Sequence, residues 1–517
     1  MMTRKSMDDE ANEIVERFAH ECQISKPKYK IVDKAGEKFL AIEVGHINNV
    51  FAIALEVASG GLEEDSNFYG RTFLREVKLP SVLESPEVEL LERLISESLT
   101  VGRSSLESDY HRKMIPFLGG EERQIFGTAN HVVFGRRGAG KSSLVLYACN
   151  QAKKEAIPYV WIAFQQYNGR DDLSVIPQVL YEFVEGIERY SEGFEARIKR
   201  LRKIVSELED LDLKITKQAI NFAIPKITRE VVPIVNHFGK LFLCFDDLHL
   251  LSPSLQPYFL SVFYSFSRGN NISLKITAIE NFCKLYDDTL REGLEPPGDA
   301  QIIRLDYNLV DPKAAYDHIS NVLSGYVSYV GLKSTASLVV PNVMQRLAWT
   351  SAGVPRDALY IFQRALTKAR AAGRKKVTVT DVNMSAAESL TEKERYASDD
   401  ATSDENLIRD VISDIKRFCL QEKKCNAFLV FIDVEDPIYN AIQKVSDLRF
   451  LHVLHPGITP EKAGQRYEAL LLDYAFYTGF RKAQSIKEFK TELEPTLAKE
   501  LRELDTYRYK DRTIGPS

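Results

Sequence analysis

The 517-residue chain carries 68 Lys+Arg against 73 Asp+Glu, a formal net charge of −5, with 44% hydrophobic and 27% charged residues. That length exceeds one hydrophobic core, so roughly two to four domains are expected. The balance of charge excludes a protein that coats nucleic acid over its whole surface, and no apolar run is long enough to cross a bilayer.

The opening stretch MMTRKSMDDEANEIVERF turns acidic and amphipathic where a secretory signal needs an apolar core, so a cytoplasmic protein is expected. In the first helix Ile14, Val15, Phe18 and Cys22 fall on one face. KFLAIEVGHINNVFAIALEVA (residues 38–58) is rich in apolar and β-branched residues, and SPEVELLERLISESL reads as a helix. Residues 1–105 therefore read as an N-terminal region without a chemical motif. The six cysteines, Cys22, Cys149, Cys244, Cys283, Cys419 and Cys425, form no CxxC pair and no zinc spacing, and are expected as small buried hydrophobes.

From about residue 106 the pattern becomes βαβ, which predicts a mostly parallel sheet with helices on both faces. VVFGRRGAGKSSLVLY (residues 132–147) runs from an apolar strand through a glycine-rich turn into a helix, and YVWIAF supplies the next strand. Residues 190–235 interrupt the pattern: Ile198, Leu201, Val205 and Leu208 recur at helical spacing beside the basic string RIKRLRK, which reads as a helical insertion with a solvated charged face, the alternative being a nucleic-acid contact. The strands KLFLCFDDLHLL and SLKITAIEN follow, then helices over 310–388. The polar stretch YASDDATSDEN reads as a linker. Beyond it lie helices and two strands, RFLHVL and RYEALLLDYAFY, joined by HPGITPEKAGQ. His452 and His455 stand three apart on the first of these, a spacing that points them to opposite faces and away from a shared metal.

The glycine-rich turn fits GxxxxGK followed by Ser, the pattern of a phosphate-binding loop. Gly135, Arg136, Arg137, Gly138, Ala139, Gly140, Lys141, Ser142 and Ser143 are the expected nucleotide-binding residues, for ATP with Mg²⁺. Glycines let the backbone turn its N–H groups inward, and the helix N-terminus favours anionic charge. Lys141 is expected to reach the β and γ phosphates, and Ser142 to hold Mg²⁺. Asp246, at the end of an apolar strand, is the second expected Mg²⁺ ligand, and Asp247 is placed to orient or deprotonate an attacking water.

With these motifs the chain resembles AAA+ and STAND-type P-loop ATPases, most closely the origin-recognition-type initiator branch of AAA+, over roughly residues 110–390 and more weakly over 405–480. The resemblance implies an α/β fold. A P-loop NTPase (AAA+-like) parallel-sheet core over 106–308 would be followed by a helical lid over 309–390. A C-terminal winged-helix-like domain with a tail would occupy 405–517, and residues 1–105 would form an α+β region. FLGGEERQIFG (residues 117–127) looks like the family's Gly-Arg-Glu-Glu box, with Gly120 where the arginine would stand.

SLKITAIEN resembles the strand that carries the sensor-1 polar residue, which implies Asn281 in that role and Thr277 as its fallback. Arg291, in LYDDTLREGL, falls where related proteins often carry a trans-acting arginine finger; the alternative is a solvated helix arginine. TSAGVPRDALYIFQRALTKARAAGRKKVTVTDVNMSA (residues 350–386) resembles the initiator lid, making Arg356 the sensor-2 cation that reports ATP or ADP. The strand pair around HPGITPEKAGQ resembles a wing whose Lys462 and Arg466 would meet DNA phosphates.

The implied function is an ATP-dependent switch that engages duplex DNA, as a homo-oligomer or a component of a complex. Asp247 stands where many AAA+ motors have Glu, so slow hydrolysis is expected. The alternative is a STAND-type signalling or defence ATPase whose terminal domains bind protein partners, residues 1–105 among them. A small-molecule P-loop kinase fits less well, because GVPRDAL is initiator-like.

Overall fold

The computed structural model describes residues 6–79, 81–99, 120–210, 215–305, 307–400, 405–459, 465–478, 486–489, 492–494 and 497–509. The chain divides into two units: residues 1–100, 313–389 and 477–483 form one, and residues 101–312, 390–476 and 484–517 the other. No described helix is long and apolar enough to cross a membrane. All six cysteines are free thiols, four of them buried and two partly buried.

In the first unit the helix Met7–Cys22 starts at Ser6, whose side chain accepts from the Asp9 N–H, and Asp8, Asp9 and Glu10 in its first turn complement the helix dipole. Its expected apolar face is buried. Strands β1 (Tyr29–Lys34) and β2 (Glu37–Val44) pair antiparallel, and β3 (Thr72–Glu76) lies parallel to β2. The α+β expectation for this region holds. The helical region belongs to the same unit, and polar ties join the two stretches. Gln363 Nε2 donates to the Glu92 carbonyl at 2.9 Å, the Glu92 carboxylate accepts from Thr367 and pairs with Arg370, and Asn48 Nδ2 donates to the Val330 carbonyl at 2.9 Å. These ties cross more than 270 residues of sequence.

The second unit holds the α/β core. Strands β4 (His131–Phe134), β5 (Tyr159–Ala163), β6 (Leu241–Asp246) and β7 (Ile272–Ala278) are followed by a small hairpin, β8 (Tyr286–Asp287) and β9 (Glu292–Gly293), and by β10 (Gln301–Arg304). Five of them form one parallel sheet in the order β10-β4-β7-β6-β5. Successive strands on the chain, β4 and β5, are separated by β7 and β6. The order therefore reverses beside β4, and in open parallel sheets ligands bind outside the carboxyl ends of strands at such a point.

The insertion folds as the helices Glu195–Glu209 and Lys217–Phe238. Ile198, Leu201, Val205 and Leu208 are all buried. Part of the basic string is engaged internally, since Arg197 and Arg200 pair with the buried Glu230 at 3.1 and 2.8 Å.

At the amino end of the sheet, Lys275 is fully buried in β7; its Nζ donates to the carbonyls of Gly127 and Ala129 at 2.6 and 2.8 Å and faces His131 Nδ1 at 3.0 Å. Burial pushes the Lys275 ammonium down to about 7 and the His131 imidazole to about 4. Above pH 7 the unfolded chain holds a proton on residue 275 that the folded chain has lost, so this group adds stability as pH rises. Between pH 7 and pH 9, wild type should gain stability relative to Lys275→Met in urea unfolding; a constant gap would contradict it.

The C-terminal part of this unit has helix Glu405–Arg417, strand β11 (Ala427–Phe431), helix Pro437–Asp447, strands β12 (Leu451–Ile458) and β13 (Tyr467–Leu472), and a short β14 (Thr506–Tyr507). The sheet order is β12-β13-β11-β14, with β12 and β13 the expected antiparallel hairpin.

Candidate phosphate-binding site

The fully buried β4 delivers the chain into the glycine-rich turn at the point where strand order reverses. Gly138 and Gly140 take φ of 81° and 100°, a region that side-chain-bearing residues rarely adopt. Gly135 is closely enclosed: a Cβ there would stand 3.2 Å from Ala139 Cβ and from the Leu305 carbonyl, tighter than ordinary contact. The helix Lys141–Lys154 begins directly after Gly140, which has no side chain to cap it, and a helix N-terminus favours an anion.

Lys141 is only 5% exposed, and its Nζ arches back to the carbonyls of Gly135 and Arg136 at 3.0 and 3.3 Å. Arg136, Arg137, Ser142 and Ser143 are partly exposed along the turn and first helical residues, and Ala139 is buried. Ser142 Oγ donates to Asp246 Oδ1 at 2.8 Å.

Asp246 ends β6 almost fully buried. Burial and the neighbouring Asp247 charge push its carboxyl up to about 7, against the opposing hydrogen bonds from Thr277 and Ser142 and the charge of Lys141. Asp247 has φ of 60°, a left-handed backbone that Asp tolerates better than most residues and that swings its side chain off the strand end. There Gln165 Nε2 donates to Asp247 Oδ2 at 3.1 Å.

Thr277 is the residue that β7 brings to this pair. Its hydroxyl donates to Asp246 Oδ1 at 2.7 Å and accepts from the Asp247 N–H at 2.8 Å. Asn281 lies farther on, in the turn Glu280–Phe282, and donates from Nδ2 to Asp447 Oδ2 at 2.9 Å. Of the two sensor-1 choices, the fallback Thr277 thus sits among the acids, whereas Asn281 faces the end of helix Pro437–Asp447.

Arg291 is exposed in the turn of the β8–β9 hairpin with φ of 55°, so the alternative of a helix arginine does not hold. The cause is local: Asp287 Oδ1 accepts from the N–H groups of Thr289 and Leu290 at 3.0 and 2.9 Å, a turn that diverts the backbone from helix. Arg356 belongs to the other unit, partly buried in the first turn of helix Pro355–Ala371, with Pro355 opening the helix and Gly353 at φ 75° before it. Arg466 is exposed at the start of β13, its guanidinium lying against Gly457 across the hairpin. Lys462 lies outside the described residues, as do residues 117–119 of the upstream box.

Gln165 and Asp447 carry no signal in the sequence, and His452 stood out there only as a metal candidate that its spacing disfavours. Gln165 lies in the turn Phe164–Tyr167 after β5 and carries no motif. Asp447 and His452 come from the C-terminal sheet region: His452 Nδ1 stands 3.2 Å from Arg136 Nη1, and its Nε2 2.7 Å from Asp473 Oδ2. The contact with Arg136 joins residues 316 apart in the chain.

The chain is similar in structure to Cdc6p from Pyrobaculum aerophilum, with 14% identity and a TM-score of 0.35 over 72% of this chain and 94% of that one. It is also similar to a Walker-type ATPase of Pyrococcus abyssi (13% identity, TM-score 0.41, 71% and 96% covered). A third is the ORC2 protein of Aeropyrum pernix, solved as ADPNP-ADP complexes (12% identity, TM-score 0.40, 73% and 94% covered). No family model matches the sequence, and no curated protein matches it. The loop's own geometry, rather than these distant likenesses, carries the site.

Proposed function

We propose that the chain binds ATP with Mg²⁺ at residues 135–143 and acts as a nucleotide-dependent switch with slow hydrolysis. The observation that supports this most directly is the convergence of Lys141, Ser142, Asp246 and Thr277 at the carboxyl ends of β4, β6 and β7, below a turn that requires glycines. The donor set suits the metal: a hydroxyl and a carboxylate, hard oxygens already 2.8 Å apart. Ser142 and Asp246 would hold Mg²⁺, which when bound neutralises charge on the phosphate oxygens. Lys141 binds phosphate oxygens directly, and Asp247, steadied by Gln165, accepts a proton from water or orients it. Arg356 keeps the nucleotide-sensing role that the sequence resemblance implies.

The same proposal extends to duplex DNA through the β12–β13 hairpin with Lys462 and Arg466, and to assembly as a homo-oligomer or within a complex, where the exposed Arg291 would serve a neighbouring subunit. The test is equilibrium ATP binding and turnover by the full chain with and without duplex DNA at two salt concentrations. DNA stimulation that fades with salt supports the DNA arm; turnover indifferent to DNA removes it. Arg466→Glu should weaken DNA binding and flatten the dependence of log affinity on log salt by about one ion or more. An unchanged slope would exclude Arg466 as a phosphate contact.

One observation favours the protein-partner alternative. On helix Asn49–Gly60, Ile53 and Val57 are 58% and 56% exposed, one turn apart, and Ile47 and Tyr69 of the same region are about half exposed. Exposed apolar side chains clustered on one helix face suit a protein surface.

A further inference from the structure

Helix Pro437–Asp447 ends beside the phosphate loop. A cavity of about 170 Å³ has Gly135 and Arg136 among its lining on one side and Gln443, Ser446 and Asp447 on the other. Asn281 binds the Asp447 carboxylate at 2.9 Å, and Lys444, one turn earlier, lies 5.7 Å over the ring of Phe282. A second tie runs alongside: Arg136 meets His452, which is backed by Asp473 and, through it, by Lys393. The C-terminal sheet region is therefore fastened to the loop's arginine and to the turn after β7 by separate polar contacts.

Resting on the nucleotide reading above, we propose that Asp447 is a specificity residue that favours nucleoside diphosphate over triphosphate, by holding Asn281 with a carboxylate beside the phosphate loop. Burial raises the Asp447 carboxyl to about 6, opposed by its hydrogen bonds from Asn281 and then by the charges of Arg136 and Lys141. The carboxylate thus draws on the cations that a terminal phosphate needs. A third phosphate brings further negative charge to the loop, repels Asp447 and competes with it for the Asn281 amide. A diphosphate carries no such group and leaves the bond in place. Because a ligand shifts an equilibrium only by its different affinity for two states, this competition couples the terminal phosphate to release of helix Pro437–Asp447.

The experiment is equilibrium binding of Mg²⁺-ADP and of Mg²⁺ with a non-hydrolysable ATP analogue to the full chain, wild type and Asp447→Asn. The variant should bind the triphosphate about 10-fold more tightly, with ADP changed by less than about 2-fold. An unchanged ratio of the two affinities, or equal loss of both, overturns the inference while leaving nucleotide binding intact. Wild type that binds neither nucleotide overturns both readings. Hydrogen exchange in wild type gives a check without mutation: amides of residues 437–447 should exchange faster with the triphosphate analogue than with ADP, and identical exchange counts against the proposal.

Discussion

Lys141→Ala should reduce ATP affinity by about 100-fold, as measured by titration of a fluorescent nucleotide, while the variant unfolds at a temperature close to wild type. The size follows from the chemistry removed. A charge-assisted hydrogen bond to a phosphate contributes about 1.5–3 kcal/mol, and each 1.4 kcal/mol is about tenfold in affinity. The fold should survive because the partners of Lys141 Nζ are carbonyls of the partly exposed Gly135 and Arg136, which water can serve in its place. Unaltered affinity would remove Lys141 from the site and with it the reading of residues 135–143 as a phosphate cradle.

Lys393→Met should destabilise the fold by about 3–5 kcal/mol, the range for breaking one side of a buried ion pair. Lys393 Nζ lies 2.5 Å from Asp473 Oδ2, and the two side chains are 3% and 1% exposed. Asp473 also meets His452 Nε2 and accepts from the Ala475 N–H at 2.8 Å, so it is fixed where it stands and cannot swing out to water. Burial alone would push its carboxyl up; Lys393 and His452 outweigh burial and hold it well below the usual range. A depressed carboxylate stabilises the fold above its unfolded pKa and loses that contribution as pH falls. In the variant burial acts with less opposition and Asp473 takes up a proton at higher pH, so the deficit should be largest at neutral pH and shrink in acid. The double variant Lys393→Met with Asp473→Asn should recover part of the loss, because no uncompensated charge remains. Denaturant unfolding of the four proteins closes the cycle, and additive effects would show that the pair is not coupled.

What the sequence made legible was local. The order strand, glycines, Lys141, Ser142, helix is written in consecutive residues, and the conformations of Gly138 and Gly140 account for the spacing. The apolar run before Asp246 announced a buried central strand, and the parallel sheet followed from alternating strand and helix patterns. The insertion was readable for the same reason, since its apolar positions recur at helical spacing.

The misses were long-range or set by a few hydrogen bonds. The helix-arginine alternative for Arg291 gave way to a hairpin turn because Asp287 captures two N–H groups, which no motif in the sequence marks. Thr277 and Asn281 are both polar residues near the end of β7, and only the paired strands decide which one meets Asp246. The contacts of Glu92 with residues 363, 367 and 370 likewise cross the chain, and no local pattern records them. The approach of Asp447 and His452 to the phosphate loop has the same origin.

The single hydroxyl of Thr277 orders both acids, donating to one and accepting from the backbone of the other. It can do so only because β6 and β7 pair with Phe245 opposite Ile276, which sets Asp246 beside Thr277. Side chains alternate along a strand, so a slip of one residue would present Ile276 or Ala278 to Asp246, and neither has an oxygen to offer. The alignment of the two central strands is therefore itself a chemical component of the site, and any change that loosens their pairing, however far from residues 135–143, acts on the acids as directly as a substitution among them.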